Sequence, residues 1–234
     1  MYHGVVTGEH RHRLLRRVSS GLVIVGGIVL AYPFWSAGYT GLQQGRLTAA
    51  LAQSSASFEK AARAETSTLN AIHRPQDRLT ALASLFAKQL KPGDPIGHLK
   101  IPRIGLYKVI LEGEHRPPSL GMGNDQQFLS SGPTHYGLTP LPGAGRPFAV
   151  AGHRTTFGAP FYKLNLLSPG DVIIVITPYA KLKYTVDKLT TVAPSDISVL
   201  ADRGYDLVLT TCNPPYSAAQ RLIVWGSLRS FTLL

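Results

Sequence analysis

Residues 205–228 read YDLVLTTCNPPYSAAQRLIVWGSL. Two runs rich in Val, Leu, Ile and Thr flank a proline-bearing loop, and the first run ends in the only cysteine of the 234-residue chain. Two consecutive prolines cannot continue a strand ladder, so the first strand stops before Pro214-Pro215 with the thiol of Cys212 at its mouth. The short loop returns the chain antiparallel, which lets Arg221 face Cys212 across the strand pair. A single cysteine forms no intrachain disulfide and no thiolate zinc site. It is either a packing residue, as most free cysteines are, or a nucleophile. A nucleophile needs a partner to make thiolate and a donor to steady an oxyanion. The Arg221 guanidinium, charged at any pH and forked, could be that donor. It could equally be a surface arginine at a strand start.

Upstream, the same texture recurs from about residue 95. The runs GHLKIPRIGL, YKVILEG, FAVAGH, DVIIVIT and KLKYTVDKL alternate with Gly/Pro turns. No long helical period separates them, apart from short pieces near 157–166 and 195–200. Strands at this spacing predict a closed or nearly closed β-barrel and disfavour a βαβ fold, whose crossover helices are missing. His153 ends the run FAVAGH. A histidine closing one strand and a cysteine closing another can meet at one rim of a barrel. His98, His115, His135 and His73 compete for the partner role on spacing alone.

The N-terminal part differs. Arg11, Arg13, Arg16 and Arg17 precede an uncharged apolar run, Val18 to Trp35. At 1.5 Å per residue these residues reach roughly 27 Å, close to the hydrocarbon thickness of a bilayer. Arginines before the run place the N-terminus in the cytoplasm and the chain beyond Trp35 outside the cell. A signal peptide cleaved after Gly38 is the competing reading. The bulky Pro33-Phe34-Trp35 and the length of the run favour an uncleaved anchor. Residues 37–94 are rich in Ala, Gln, Ser and Leu, with Leu79, Leu82, Phe86 and Leu90 at helical spacing, and predict a helical stem acting as a spacer. Pro75 interrupts it, and the turn-rich KPGDP closes it. The predicted domains are a tail 1–17, an anchor 18–36, a stem 37–94 and a β-domain 95–234. The formal charge of +11 is spread along the chain, +6 over residues 1–94 and +5 over 95–234. No basic block interleaves with aromatics, which argues against nucleic acid and fits an anionic neighbour such as membrane or cell wall.

Taken together, LKIPRIGL, VAGHRTTFGAPFYKL, Gly170-Asp171, LTTC and then Arg221 resemble the sortases, membrane-anchored cysteine transpeptidases of Gram-positive bacteria. The resemblance covers about 95–234. It implies a mainly β fold, an eight-stranded sortase-type β-barrel with short helices, preceded here by a transmembrane helix and helical stem. It implies Cys212 as nucleophile, His153 as general acid/base and Arg221 as clamp, with no cofactor and no metal. The implied chemistry is cleavage of an LPxTG-like sorting signal between Thr and Gly through a Cys thioester. The joined amine would belong to peptidoglycan or its precursor, and the clients would be secreted proteins with C-terminal sorting signals. GPTHYGLTPLPG, 132–143, resembles the loop of class E enzymes, which favour LAxTG. Tyr136 would then be substrate-binding, with Thr210 and Thr211 of LTTC. Gly137-Leu138-Thr139 departs from that loop, which leaves classes D and F open. Asp94-Pro95 followed by Ile96 lacks the aromatic of a class C lid, and Asp196, Asp202 and Asp206 are too scattered for a calcium site. A thiol hydrolase, or an anchored β-domain in which Cys212 only packs, remain the alternatives from the residues alone.

Overall fold

The computed structural model describes residues 7–115 and 126–234. The first six residues of the expected tail lie outside the described residues. Eight strands form a closed barrel: β1 (Pro95–Ile101), β2 (Leu106–Leu111), β3 (Thr134–His135), β4 (Phe148–Ala151), β5 (Val172–Ile176), β6 (Ala180–Val192), β7 (Leu207–Asn213) and β8 (Gln220–Leu233). Their order around the barrel is β1-β2-β3-β4-β7-β8-β6-β5. The pairs β2–β3 and β4–β7 are parallel and the rest antiparallel. Seven of the strands coincide with the apolar runs; β3, two residues long, carries too little pattern to be read from sequence.

Period-two alternation sorts the faces. In β6 Leu182, Tyr184 and Val186 are buried while Lys181 and Lys183 are exposed. The inward residues join Leu99, Ile110, Phe148, Val150, Leu207, Leu209, Leu222 and Val224 in the main core. On β4, β7 and β8 the outer face is also covered. Ala149, Ala151, Val208, Ile223 and Trp225 form a second cluster with Tyr136, Leu129 and Val199. Leu129 comes from a short helix, Gln126–Leu129, and Val199 from a 3-10 turn, Ile197–Leu200.

Helix α1 (Thr7–Ala64) is one continuous element with Pro33 inside it. Over its apolar run the side chains are exposed, with a mean hydropathy of 1.7 in the most apolar window. That helix is long and apolar enough to cross a membrane. From Ser36 onward it lies against the barrel, burying Ser36, Thr40, Gln44, Leu51 and Phe58. Helices α2 (Thr66–Asn70) and α3 (Pro75–Ala87) come next, and Pro75 opens α3 where its missing N–H is not needed.

The stem is helical as predicted, but it is not a bare spacer. Phe58, Leu69, Leu79, Leu82 and Phe86 enter the same core as the barrel interior. Phe58, Phe86 and Tyr179 form a three-way aromatic contact with centroids 5.4–6.1 Å apart. The Tyr179 hydroxyl donates to the Pro142 carbonyl at 2.8 Å. The physical reason lies in β3. Because β3 pairs with β2 only at Leu111, the rest of that edge of β2 needs another partner. Gln44 supplies it. Its Oε1 accepts from the Val109 N–H at 2.7 Å, and its Nε2 donates to the carbonyls of Val109 (3.2 Å) and Ser131 (2.9 Å). A carboxamide here replaces a strand.

The aromatic cluster and the Cys212 hairpin lie at opposite ends of β8. Leu233 pairs with Ala180, next to Tyr179, whereas Arg221 pairs with Cys212.

Candidate active site

Strand β7 runs through Asn213 and stops before Pro214, and β8 returns in a register that sets Cys212 directly opposite Arg221. Directly opposed residues on antiparallel strands project to the same face. Alternation along both strands identifies it as the outer face, which Val208, Ile223 and Trp225 share. On the other side β4 runs parallel to β7, pairing Ala149 with Val208 and Ala151 with Thr210. The association continues past the strand end, because the Gly152 N–H donates to the Thr210 carbonyl at 3.1 Å and Thr211 Oγ1 donates to the Gly152 carbonyl at 2.8 Å. The paired register ends at Ala151 and Thr210; continued two residues further it would set His153 level with Cys212. Gly152 is required there. A Cβ on it would lie 2.6 Å from the ring of Phe161, which is fully buried and cannot yield.

The three side chains differ in environment. Cys212 is half-buried. Arg221 is buried, and its Nη1 donates to the carbonyls of Ala218 (3.0 Å) and Gln220 (2.9 Å), which fixes the plane of the guanidinium. His153 packs on Phe157 at 5.2 Å between ring centroids. Burial pulls its pKa below the ordinary 6.5, which favours the neutral imidazole. Its Nε2 is shielded from solvent and has no hydrogen-bond partner among the described residues. An unpartnered buried nitrogen is costly unless another group completes it.

Arg154, which the sequence did not distinguish from a surface arginine, is the unforeseen member of this region. It is 3% exposed. Its Nη1 reaches the Cys212 carbonyl at 3.4 Å and its Nη2 donates to Asn165 Oδ1 at 2.9 Å. It thereby ties the chain beside His153 to the strand end bearing Cys212. Burial lowers its pKa from the ordinary guanidinium value, opposed by the charges of Tyr162 and Cys212.

Of the other residues singled out from sequence, Tyr136 lies in the outer-face cluster, and its hydroxyl shares a 2.7 Å hydrogen bond with Thr210 Oγ1. Thr210 and Thr211 are 0% and 2% exposed, and both hydroxyls are engaged inside the protein. The competing histidines sit elsewhere. His98 stacks on Tyr107 at 4.8 Å, and His73 is exposed in the stem. His115 approaches Glu112 at 3.7 Å. His135 is buried, with Nδ1 3.0 Å from Glu112 Oε2 and Nε2 2.9 Å from Thr139 Oγ1. Thr139 Oγ1 in turn donates to the Tyr136 carbonyl at 2.9 Å, so this chain of bonds holds the Tyr136 turn. Asp196, Asp202 and Asp206 each accept backbone N–H bonds, from Ser198, Gly204 and Leu228. Among the described residues no three His, Cys, Asp or Glu side chains are grouped to hold a metal ion.

The chain and its barrel are similar to known proteins. Over 152 residues the chain is 34% identical to sortase SrtE1 of Streptomyces coelicolor, a match covering 59% of this chain and 41% of that protein. The match to sortase SrtE2 of the same organism covers 55% of that protein, so the chain spans about half the length of these curated relatives. Among solved structures, sortase E from Streptomyces avermitilis is 32% identical, with a TM-score of 0.52 over 61% of this chain and 93% of that one. Sortase E1 from Streptomyces coelicolor, solved with a tripeptide in the active site, is 31% identical, with a TM-score of 0.52 over 62% and 93%. The Sortase domain family matches residues 99–229, from within β1 to within β8. With the eight-stranded mixed barrel and the cysteine-bearing β7–β8 hairpin already described, this chain belongs to the sortase family.

Proposed function

We propose that the protein is a membrane-anchored cysteine transpeptidase that cleaves an LPxTG-like sorting signal between Thr and Gly and joins the Thr carboxyl group to a cell-wall amine. The observation that carries the reading is the direct cross-strand pair of Cys212 and Arg221, with His153 on the adjoining strand extension. In the first step the neutral imidazole takes the thiol proton as sulfur attacks the Thr carbonyl carbon. The Arg221 guanidinium faces the developing oxyanion. The C–N bond breaks, His153 returns the proton to the departing glycine amine, and a Cys212 thioester remains. In the second step an amine attacks the thioester and loses a proton to His153, and the thiol is restored. An amine outcompetes water because it is the stronger nucleophile toward a thioester.

Tyr136 is the proposed specificity residue for alanine or proline at the second motif position. Thr210 and Thr211 support the site from inside, the first by holding Tyr136 and the second by holding Gly152 beside His153. The exposed apolar half of α1 is the single-pass anchor, with its arginine-rich end in the cytoplasm and the barrel outside the cell. The clients are secreted proteins with C-terminal sorting signals. The acceptor is an amine of peptidoglycan or its lipid-linked precursor.

Incubation of the full chain with LAxTG and LPxTG peptides and triglycine tests the reading. Ligated product from one or both peptides, absent with Cys212→Ala, is the expected result. Cleavage to the free acid with no ligated product would instead make the protein a hydrolase.

A further inference from the structure

Helix α1 carries an aromatic ladder at the outer end of its apolar run. Tyr32, Trp35 and Tyr39 stand three and four residues apart, with ring centroids 6.2 and 5.8 Å apart. Tyr and Trp at the end of an apolar helix settle at the headgroup level of a bilayer. The adjoining face of the same turns is already covered by the barrel. Ser36 and Thr40 are each 2% exposed. Thr40 Oγ1 lies 3.1 Å from the Ser130 carbonyl, and a Cβ placed on Gly158 would touch the Thr40 side chain at 3.5 Å. Thr40 is five residues beyond Trp35, about 7.5 Å along the helix axis. Gly158 is five residues beyond His153.

Direction along the helix agrees. From Thr40, beside the His153 loop, α1 runs to Phe58, which packs on Tyr179 at the far end of β8. Those 18 residues span about 27 Å. The barrel therefore stands along the helix with its Cys212 end toward the apolar run and its aromatic end away from it.

We propose that this barrel seats its catalytic rim directly on the outer-leaflet headgroups. Ser130 and the segment Thr155–Ala159 form the contact surface, and the Thr40–Gln44 face of α1 is the rigid mount. The inference rests on α1 being a membrane anchor. The Phe157-Gly158-Ala159 backbone, held at φ of 50°, 70° and 43°, is the strained segment of this surface. The consequence is mechanistic. Cys212 would work a fixed, short distance from the lipid surface, suited to peptide and amine substrates that are themselves held there. It would not sweep a volume at the end of a tether.

The test uses the full chain with Cys212→Ala, which leaves no native thiol, reconstituted in phosphatidylcholine/phosphatidylglycerol vesicles. Nitroxide labels are placed by Ser130→Cys at the proposed contact and by Asp202→Cys before β7, at the opposite end. Collisional relaxation by an aqueous nickel chelate should be lower at 130 than at 202 by about threefold or more, with the reverse trend for oxygen. Equal nickel accessibility at both positions in chains that still float with the vesicles would overturn the headgroup seat and leave the anchor intact. Failure of the chain to float would overturn both.

Discussion

The two ends of the barrel are built on opposite principles. At one end Phe58 and Phe86 of the helices close over Tyr179, whose hydroxyl is bonded, and burial pushes its pKa far above the ordinary tyrosine value. The three rings pack on one another, beside a cleft lined by Leu69, Arg78 and Leu233. At the other end the thiol is half-buried, the Arg221 and Arg154 guanidiniums are buried, and the Nε2 of His153 and the Nε of Arg154 have no partner among the described residues. Three consecutive residues there hold left-handed backbone angles, two of them not glycine. Such a region is stable only because the rest of the domain over-determines it. On the proposed function, stability belongs to the aromatic end and chemistry to the hairpin end, and each should be open to perturbation without the other.

Cys212→Ala should abolish ligation outright while shifting unfolding free energy by about 1 kcal/mol or less, since only a half-buried sulfur is removed. Residual turnover in denaturant-checked, folded protein would remove sulfur from the mechanism. Phe58→Ala is the mirror case. It should cost about 3–5 kcal/mol, measured by urea unfolding, with kcat at low temperature close to the parent's. A large fall in kcat without loss of stability would show that the two ends are coupled.

Arg221→Lys keeps the charge but loses the planar fork, and should lower kcat by about 100-fold. Near-parent rates would deny it the oxyanion. Gln44→Ala leaves the Val109 N–H and carbonyl without their side-chain partner and should destabilise by about 1–3 kcal/mol. No change in the unfolding midpoint would mean that water replaces the carboxamide.

The smallest effect concerns pH. The His153 pKa is depressed by burial, so protonation is less favourable in the folded state than in the unfolded one. Its contribution to stability is full above 6.5 and declines as pH falls below that value. If the neutral imidazole is the base, as proposed, the acid limb of kcat/KM should likewise have its midpoint below 6.5. A midpoint above 6.5 would contradict the burial of the ring.

The hairpin was legible because its signals are local. Pro214-Pro215 stops β7, a short loop allows one antiparallel return, and the register of Cys212 with Arg221 results. His153 could be singled out because FAVAGH ends as a strand does, although the parallel β4–β7 pairing that carries its strand alongside β7 was not foreseen. The docking of α1 was not legible. Its barrel-facing positions are Ser36, Thr40 and Gln44, which no hydrophobic period marks, and their partners are backbone atoms distant in the chain. Arg154 escaped for a related reason. An arginine becomes a buried tie only when the fold supplies Asn165 and the Cys212 carbonyl around it. β3 was too short to show.

Thioester formation at Cys212 can be observed directly. Intact-mass spectrometry of the full chain, mixed with sorting-signal peptide in the absence of acceptor, should show an adduct of the peptide portion ending in Thr. Peptide mapping should locate it on Cys212, and triglycine should discharge it with formation of ligated product. Ligation without any such adduct, or an adduct on another residue, would contradict nucleophilic catalysis by this thiol.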